Sequence, residues 1–260
     1  MIVREKDGVI WLEFEIFQGF PQIVHGVFLR KGGNSQGEFA SLNVGRNVKD
    51  SIEAVIENRK KVQRCLALEK LVFGNQTHQD LFVDISEYNS DTTLVTSCDG
   101  FITSLTQTGL SVSHADCQAV IFFDPKKNVI ANVHCGWRGN VQNILGKMVR
   151  TLRDQRGCDP LDILVGISPS LGPFYSEFIN YQQEFPMSFY SYQIKPCFFD
   201  LWKISQDQLI QEGVLSKHIE CANLCTYMHS DLFFSYRRDH VTGRHATIIA
   251  LKDLLNPCLL

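Results

Sequence analysis

No stretch of this chain stays apolar for the ~18 residues that a membrane span requires. Its first residues, M-I-V-R-E-K-D-G, lack the apolar core of a signal peptide. A cytoplasmic protein with no membrane association is therefore expected. No window is rich enough in proline, glycine or serine to read as a linker, no repeat of fixed period is visible, and no run of like charge forms a tail. One domain across residues 1–260 is the expectation. The formal charge of −3 gives no general case for nucleic acid as a partner. Nine cysteines, an odd number spread from Cys65 to Cys258, lack the dense spacing of a secreted disulfide scaffold. Most should be reduced core or site residues.

What is present is a chain that is 44% hydrophobic over 260 residues, enough to bury a substantial core. Helical and strand periods interleave along it, which predicts a single α/β (α+β) domain with a mixed, twisted sheet flanked by helices. Strands are expected at Trp11 to Phe17, where apolar and acidic residues alternate, and at 24–29, 71–74, 81–85, 93–96, 101–103, 163–167 and 246–251. A helix is expected from Asp50, with Asp50 and Glu53 at capping-box spacing and Ile52, Val55, Ile56, Val62, Cys65 and Leu66 on a buried stripe. Another, from 200 to 213, closes at Gly213. Between Arg30 and Asn47 lies a loop rich in glycine and asparagine, of a length that is often functional.

The stretch from Ser113 to Asn140 carries the chemistry. It reads as a strand from Ala119 to Phe123, a turn on Asp124-Pro125-Lys126-Lys127-Asn128, and a strand from Val129 to Val133. Such a hairpin brings Cys117 and His134 to one edge of the sheet, and a thiol beside an imidazole suits a metal site or an activated nucleophile. Gly136-Trp137-Arg138-Gly139-Asn140 then leads into a helix that Asn140 could cap and Gly157 could close. A helix start with Arg138 between glycines suits an anion, the alternative being that Arg138 packs on Trp137 or pairs with a carboxylate. His78, after a short strand, is the third candidate of the cluster, and alone it reads as well as a hydrogen-bonded histidine. Arg59 falls near the buried stripe of its helix, either snorkelling or orienting a substrate. Cys221 and Cys225 have the spacing of a metal knuckle but no second pair, so a structural role is expected. Arg237 and Arg238, if on a strand, point to opposite faces, so at most one faces a site.

The motifs Asn75-Gln76-Thr77-His78, His114-Ala115-Asp116-Cys117, His134-Cys135-Gly136-Trp137-Arg138-Gly139 and Phe234-Ser235-Tyr236-Arg237-Arg238-Asp239 occur in order along the chain. Together with His25-Gly26, Ser41-Leu42-Asn43, Glu57-Asn58-Arg59 and Gly243-Arg244, they resemble the laccase-domain purine nucleoside phosphorylase family, earlier labelled multicopper polyphenol oxidase. The resemblance implies a zinc ion on His78, Cys117 and His134, with copper the less expected metal. It implies phosphorolysis of purine nucleosides, adenosine deamination as a further activity, and purine nucleoside and phosphate as partners. Asn43 and Arg59 are the implied nucleoside contacts; Arg138, with the helix start, is the candidate phosphate contact, and a monomer is expected. Departures are His114 and Cys135, which add potential metal donors, Ser168 where glycine is usual, and a loosely matching Phe174-Tyr175-Ser176-Glu177. Two other chemistries stay open. One is a cysteine hydrolase or deamidase with Cys117 as nucleophile and His134 as base. The other is a copper-dependent phenol oxidase, which the absence of any H-x-H pair among eight histidines opposes. A module that holds zinc only for stability is a third reading, without catalysis.

Overall fold

The computed structural model describes residues 1–86, 94–95 and 97–253; Cys258 and the ends of the expected 93–96 strand, Thr93 and Thr96, lie outside them. Among the described residues, two large sheets form. The first has seven strands in the spatial order Ile2–Lys6, Val9–Glu13, Ile23–Phe28, His245–Leu251, Thr108–His114, Lys70–Gly74, Leu94–Val95. The second has six, in the order Ile219–Cys221, Leu164–Ile167, Gln118–Asp124, Val129–Cys135, Gly100–Thr103, Phe82–Asp84. Parallel and antiparallel pairs occur in both, so this is the mixed α/β class that the interleaved periods predict. No described helix is long and apolar enough to cross a membrane.

Period-two alternation explains the layering. Strand Gln118–Asp124 is buried along its whole length, so both of its faces need an apolar partner. Ile121 and Phe123 enter the core between the two sheets with Leu110, Ile130 and Ile249. Val120 and Phe122 enter a second core with Ile144, Met148 and Val149 of helix Ile144–Arg156 and Leu209 of helix Leu201–Gln211. The outer face of the seven-stranded sheet, through Phe73, Ile248 and Ala250, packs with Val62 of helix Ile52–Cys65. The result is a helix, sheet, sheet, helix stack. Asn132, buried mid-strand, donates from its amide to Leu110 O at 2.9 Å and Thr247 O at 2.8 Å, tying the sheets together.

Four local expectations change. The strand expected over Trp11 to Phe17 is Val9–Glu13, followed by a 3₁₀ turn over Glu15–Phe17, because the Phe14 and Ile16 N–H groups donate to His25 Nε2 and Glu220 Oε2 instead of a ladder. The helix expected from Asp50 spans Ile52–Cys65 with Ser51 as its cap, its hydroxyl accepting from Ala54 N; Asp50 is taken by Ser35 and Asn43. Its buried residues are Val55, Asn58 and Val62, while Ile52 and Ile56 are exposed. Asn140 does not cap the long helix. It lies inside a short helix, Trp137–Val141, where its amide donates to Ser205 Oγ at 2.8 Å, and Asn143 caps Ile144–Arg156 in a left-handed conformation. Gly157, with φ 64°, closes that helix as expected. Finally, Tyr236–Asp239 is a helical turn capped by Ser235 rather than a strand.

Candidate metal centre and its cavity

Three elements deliver the donors. Cys117 sits on the bend between strands Thr108–His114 and Gln118–Asp124, next to Asp116, whose φ is 86°. His134 lies within strand Val129–Cys135, paired with Ala119 across the hairpin. His78, left-handed at φ 59°, follows strand Lys70–Gly74. One ligand atom from each of the three lies within 4.8 Å of the others. Cys117 Sγ is 3.9 Å from His78 Nε2, and the two imidazoles meet edge to face with centroids 4.8 Å apart.

Asp99, which the sequence analysis did not single out, organises this cluster. Its carboxylate accepts the backbone N–H groups of Thr77, His78 and Gln79 at 3.2, 3.0 and 2.8 Å, which holds the His78 loop in place. Its Oδ1 is 2.8 Å from His134 Nδ1, so Nδ1 carries the proton and Nε2 is left for a ligand. Burial disfavours the charged carboxylate, yet the hydrogen bond and charge of His134 outweigh it and hold Asp99 below its ordinary value. Burial likewise opposes charge on Cys117 and His134. The thiolate and the imidazoles nonetheless lower the Cys117 value and raise that of His134.

These residues fit a soft or borderline metal ion. A thiolate and two imidazoles favour zinc or copper over magnesium or calcium, and three protein donors leave a further position open. Gly136 provides the room. A Cβ there would lie 3.0 Å from Cys117 Sγ and 3.1 Å from His78 Cδ2. The two additional donors of the motif do not join. His114 is buried with Nε2 at 2.8 Å from Thr247 Oγ1, and burial pushes the Cys135 thiol up. Cys225 accepts from Gly172 N at 3.2 Å, a structural contact. Among the described residues His78, Cys117 and His134 form the one group arranged to hold a metal.

The donors open onto a cavity of about 1150 Å³. Its charged lining is five arginines, Arg46, Arg59, Arg138, Arg237 and Arg244, against one carboxylate, Asp116. That carboxylate is occupied, accepting from Thr226 Oγ1 and Arg237 N at 2.6 Å each. Arg138 lies on the short helix with its guanidinium 4.2 Å from the Trp137 ring, so it packs on Trp137 and still faces the cavity. Arg59 is held in the cavity wall by a carbonyl and a ring. Nε donates to Val44 O at 2.9 Å, the guanidinium sits 3.7 Å from the Phe73 ring, and burial together with the charge of Arg46 lowers its pKa to about 9. Asn43 stands behind this wall. It is fully buried, donating to Gly45 O and Asp50 Oδ2 and accepting from the N–H groups of Gly45 and Arg244. Arg237 lines the cavity with Nη1 donating to the carbonyls of Tyr175 and Glu177, while Arg238 turns away to the carbonyls of Thr226, Tyr227 and Phe233. That is the one-in, one-out division expected of the pair, achieved on a helical turn. Arg46 is a cavity residue that the sequence reading does not single out, and Arg237 and Arg244 enter it only within motifs, because isolated basic residues outside long elements carry no periodic signal.

Residues 24–252 match the family described as multi-copper polyphenol oxidoreductase laccase. Purine nucleoside phosphorylase YlmD of Bacillus subtilis is 29% identical over 258 residues, covering 91% of this chain and 91% of that protein. A purine nucleoside phosphorylase of Bacteroides thetaiotaomicron is 31% identical over 255 residues, covering 92% and 94%. Among solved structures, YlmD from Geobacillus stearothermophilus matches with a TM-score of 0.85 at 29% identity, over 96% of this chain and 98% of that one. The hypothetical protein YfiH of Bacillus licheniformis matches with a TM-score of 0.86 at 28% identity, over 96% and 99%. With the matched region covering most of the chain and every donor of the cluster, this chain belongs to the multi-copper polyphenol oxidoreductase laccase family.

Proposed function

We propose that this chain is a zinc-dependent purine nucleoside phosphorylase, converting adenosine or inosine and phosphate to free purine and ribose 1-phosphate, with adenosine deamination as a second activity of the same site. The observation that carries the proposal is that a His-Cys-His donor set opens onto a cavity whose charged lining is almost wholly arginine. Relatives named purine nucleoside phosphorylase support the substrate class. His78, Cys117 and His134 would hold the ion, which would supply Lewis acidity to the substrate. Asp99 fixes His134 and the His78 loop. Arg138, stacked on Trp137 with its guanidinium free of hydrogen-bond partners among the described residues, holds phosphate. Trp137, Phe178 and Tyr236 offer apolar faces to the nucleoside, and Arg59 a donor. The protein acts as a cytoplasmic monomer.

One observation favours a second reading. Cys117, His134 and Asp99 also have the roles of nucleophile, base and orienting carboxylate, the arrangement of a cysteine hydrolase. The second imidazole against the same sulfur, His78 at 3.9 Å, suits a metal better than a nucleophile with one base. The deciding experiment is metal analysis of the purified protein together with product analysis from adenosine and inosine, each with and without phosphate. Zinc at one equivalent and purine release only with phosphate are expected. Inosine formed from adenosine regardless of phosphate would leave the deaminase alone. A metal-free protein inactivated by alkylation of Cys117 would replace both with the hydrolase.

A further inference from the structure

The arginines of the cavity are distributed differently from those elsewhere. Of the seven outside it, five form ion pairs: Arg4, Arg150, Arg153, Arg156 and Arg238. None of the five inside it forms an ion pair among the described residues, and the one carboxylate there is spent on Thr226 and a backbone N–H. Unpaired guanidinium groups gathered in a cleft repel one another, an arrangement that anionic ligands relieve.

They also come from different elements of the chain. Arg138 and Arg237 share one aromatic wall, since Trp137 and Phe178 have centroids 6.0 Å apart, Arg138 lies over Trp137 and Arg237 is 5.8 Å from Phe178. Arg46 and Arg59 come from the loop after Val44 and from helix Ile52–Cys65, where Arg59 is clamped between Phe73 and Val44 O. The like charge of Arg46 adds to burial in disfavouring the Arg59 cation, so these two are close enough to feel each other. Arg244 lies between the two pairs: a Cβ on Gly45 would come within 2.7 Å of its Cγ, its carbonyl accepts from Val44 N at 3.1 Å, and its guanidinium is 5.7 Å from the Tyr236 ring. Inorganic phosphate accounts for one group of cations. An uncharged nucleoside leaves the other without an anion.

We infer that the substrate class is a purine nucleoside carrying its own phosphate, a nucleoside 5′-monophosphate, with Arg46 and Arg59 receiving that phosphate while Arg138 and Arg237 receive the inorganic one. This rests on the phosphorylase reading of the same site. In the reaction the C1′–N9 bond breaks and a C1′–O bond to hydrogenphosphate forms. The proton of hydrogenphosphate passes to the departing purine, leaving ribose 1,5-bisphosphate.

The test compares inosine with inosine 5′-monophosphate on the metal-loaded protein, by calorimetry in saturating inorganic phosphate and by purine release. The monophosphate is expected to bind at least about tenfold more tightly, with the gap narrowing as salt rises. Arg46→Ala should bring the ratio of the two affinities towards one. Equal affinities in the wild type, or an advantage that vanishes once inorganic phosphate is saturating, would overturn the inference, the latter because a single anion site then serves both phosphates. Cleavage of inosine with no cleavage of the monophosphate also overturns it while leaving the phosphorylase reading intact. If neither is cleaved yet the monophosphate outbinds inosine through Arg46, the nucleotide site stands and the phosphorylase reading falls.

Discussion

Asp99 and His134 are joined twice. The carboxylate Oδ1 lies 2.8 Å from His134 Nδ1, and the His134 N–H donates to the Asp99 carbonyl at 2.7 Å. Because the same carboxylate accepts the N–H of His78, one side chain sets the orientation of two donors. Asp99→Asn keeps the shape but offers only one acceptor oxygen and no charge. Outer partners of metal-bound histidines contribute about 10–100-fold in metal affinity, and a loss of that order is expected. Competition with a chromogenic chelator reads it, and wild-type affinity in the variant would remove Asp99 from the site.

Gly136 is required for space rather than for backbone freedom. A Cβ there would lie 3.0 Å from Cys117 Sγ and 3.1 Å from His78 Cδ2, so both donors must shift from their present positions to admit it. Gly136→Ala should therefore lower metal content severalfold while thermal unfolding of the metal-free protein stays close to wild type. Full metal occupancy in the variant would show that the three donors do not converge there.

Cys117 should be the reactive thiol of the metal-free protein. Two imidazoles hold it below the ordinary thiol value, whereas burial pushes Cys98 and Cys158 up to about 12. Alkylation by iodoacetamide should rise with pH through a midpoint well below the ~8.5 of a free cysteine. Added zinc should suppress it. Modification that is indifferent to zinc would count against Cys117 as a ligand.

The hairpin was legible because Gln118–Asp124 and Val129–Cys135 are buried on both faces, which makes each a continuous apolar run bounded by a turn. Cys117 and His134 followed from its ends. Asp99 was not legible, since its partner lies thirty-five positions away and only the pairing of Gly100–Thr103 with the hairpin brings them together. The capping asparagine was ambiguous for a similar reason. Asn140 and Asn143 both suit a cap, and what decides is a contact of Asn140 with Ser205 on a distant helix.

Acid should destabilise the fold through histidines remote from the metal centre. His25 Nε2 accepts from Phe14 N and His245 Nε2 from Phe234 N, both at 2.8 Å, so neither ring can take a proton there without losing that bond. Burial lowers His25 to about 4 and His245 to about 3. Unfolded histidine titrates near ~6.5, so below that pH the unfolded chain binds protons that the folded one refuses. Stability is complete above this value and falls as pH drops towards 4, by about 1.4 kcal/mol per unit for each histidine. Urea midpoints at pH 7, 6 and 5 should decline, and His25→Gln should flatten the decline; a flat profile in the wild type would contradict the buried neutral rings.

Arg138 should act through phosphate. Its guanidinium stacks on Trp137 at 4.2 Å, which orients the planar group while leaving its N–H donors available, and no carboxylate competes for them among the described residues. It lies four positions beyond His134 on the segment that also holds Gly136, so metal and anion sites share one short stretch of chain. Arg138→Lys keeps the charge but loses both the stacking plane and the bidentate fork. The KM for phosphate should rise by about tenfold, the KM for nucleoside should change little, and zinc should stay bound, because no donor is altered. Arg237, near the same aromatic wall, should limit the damage, since it leaves one cation on that side. Steady-state kinetics at varied phosphate separates the two constants. An unchanged phosphate KM would place Arg138 in a packing role on Trp137 and move the phosphate to Arg237 or Arg244.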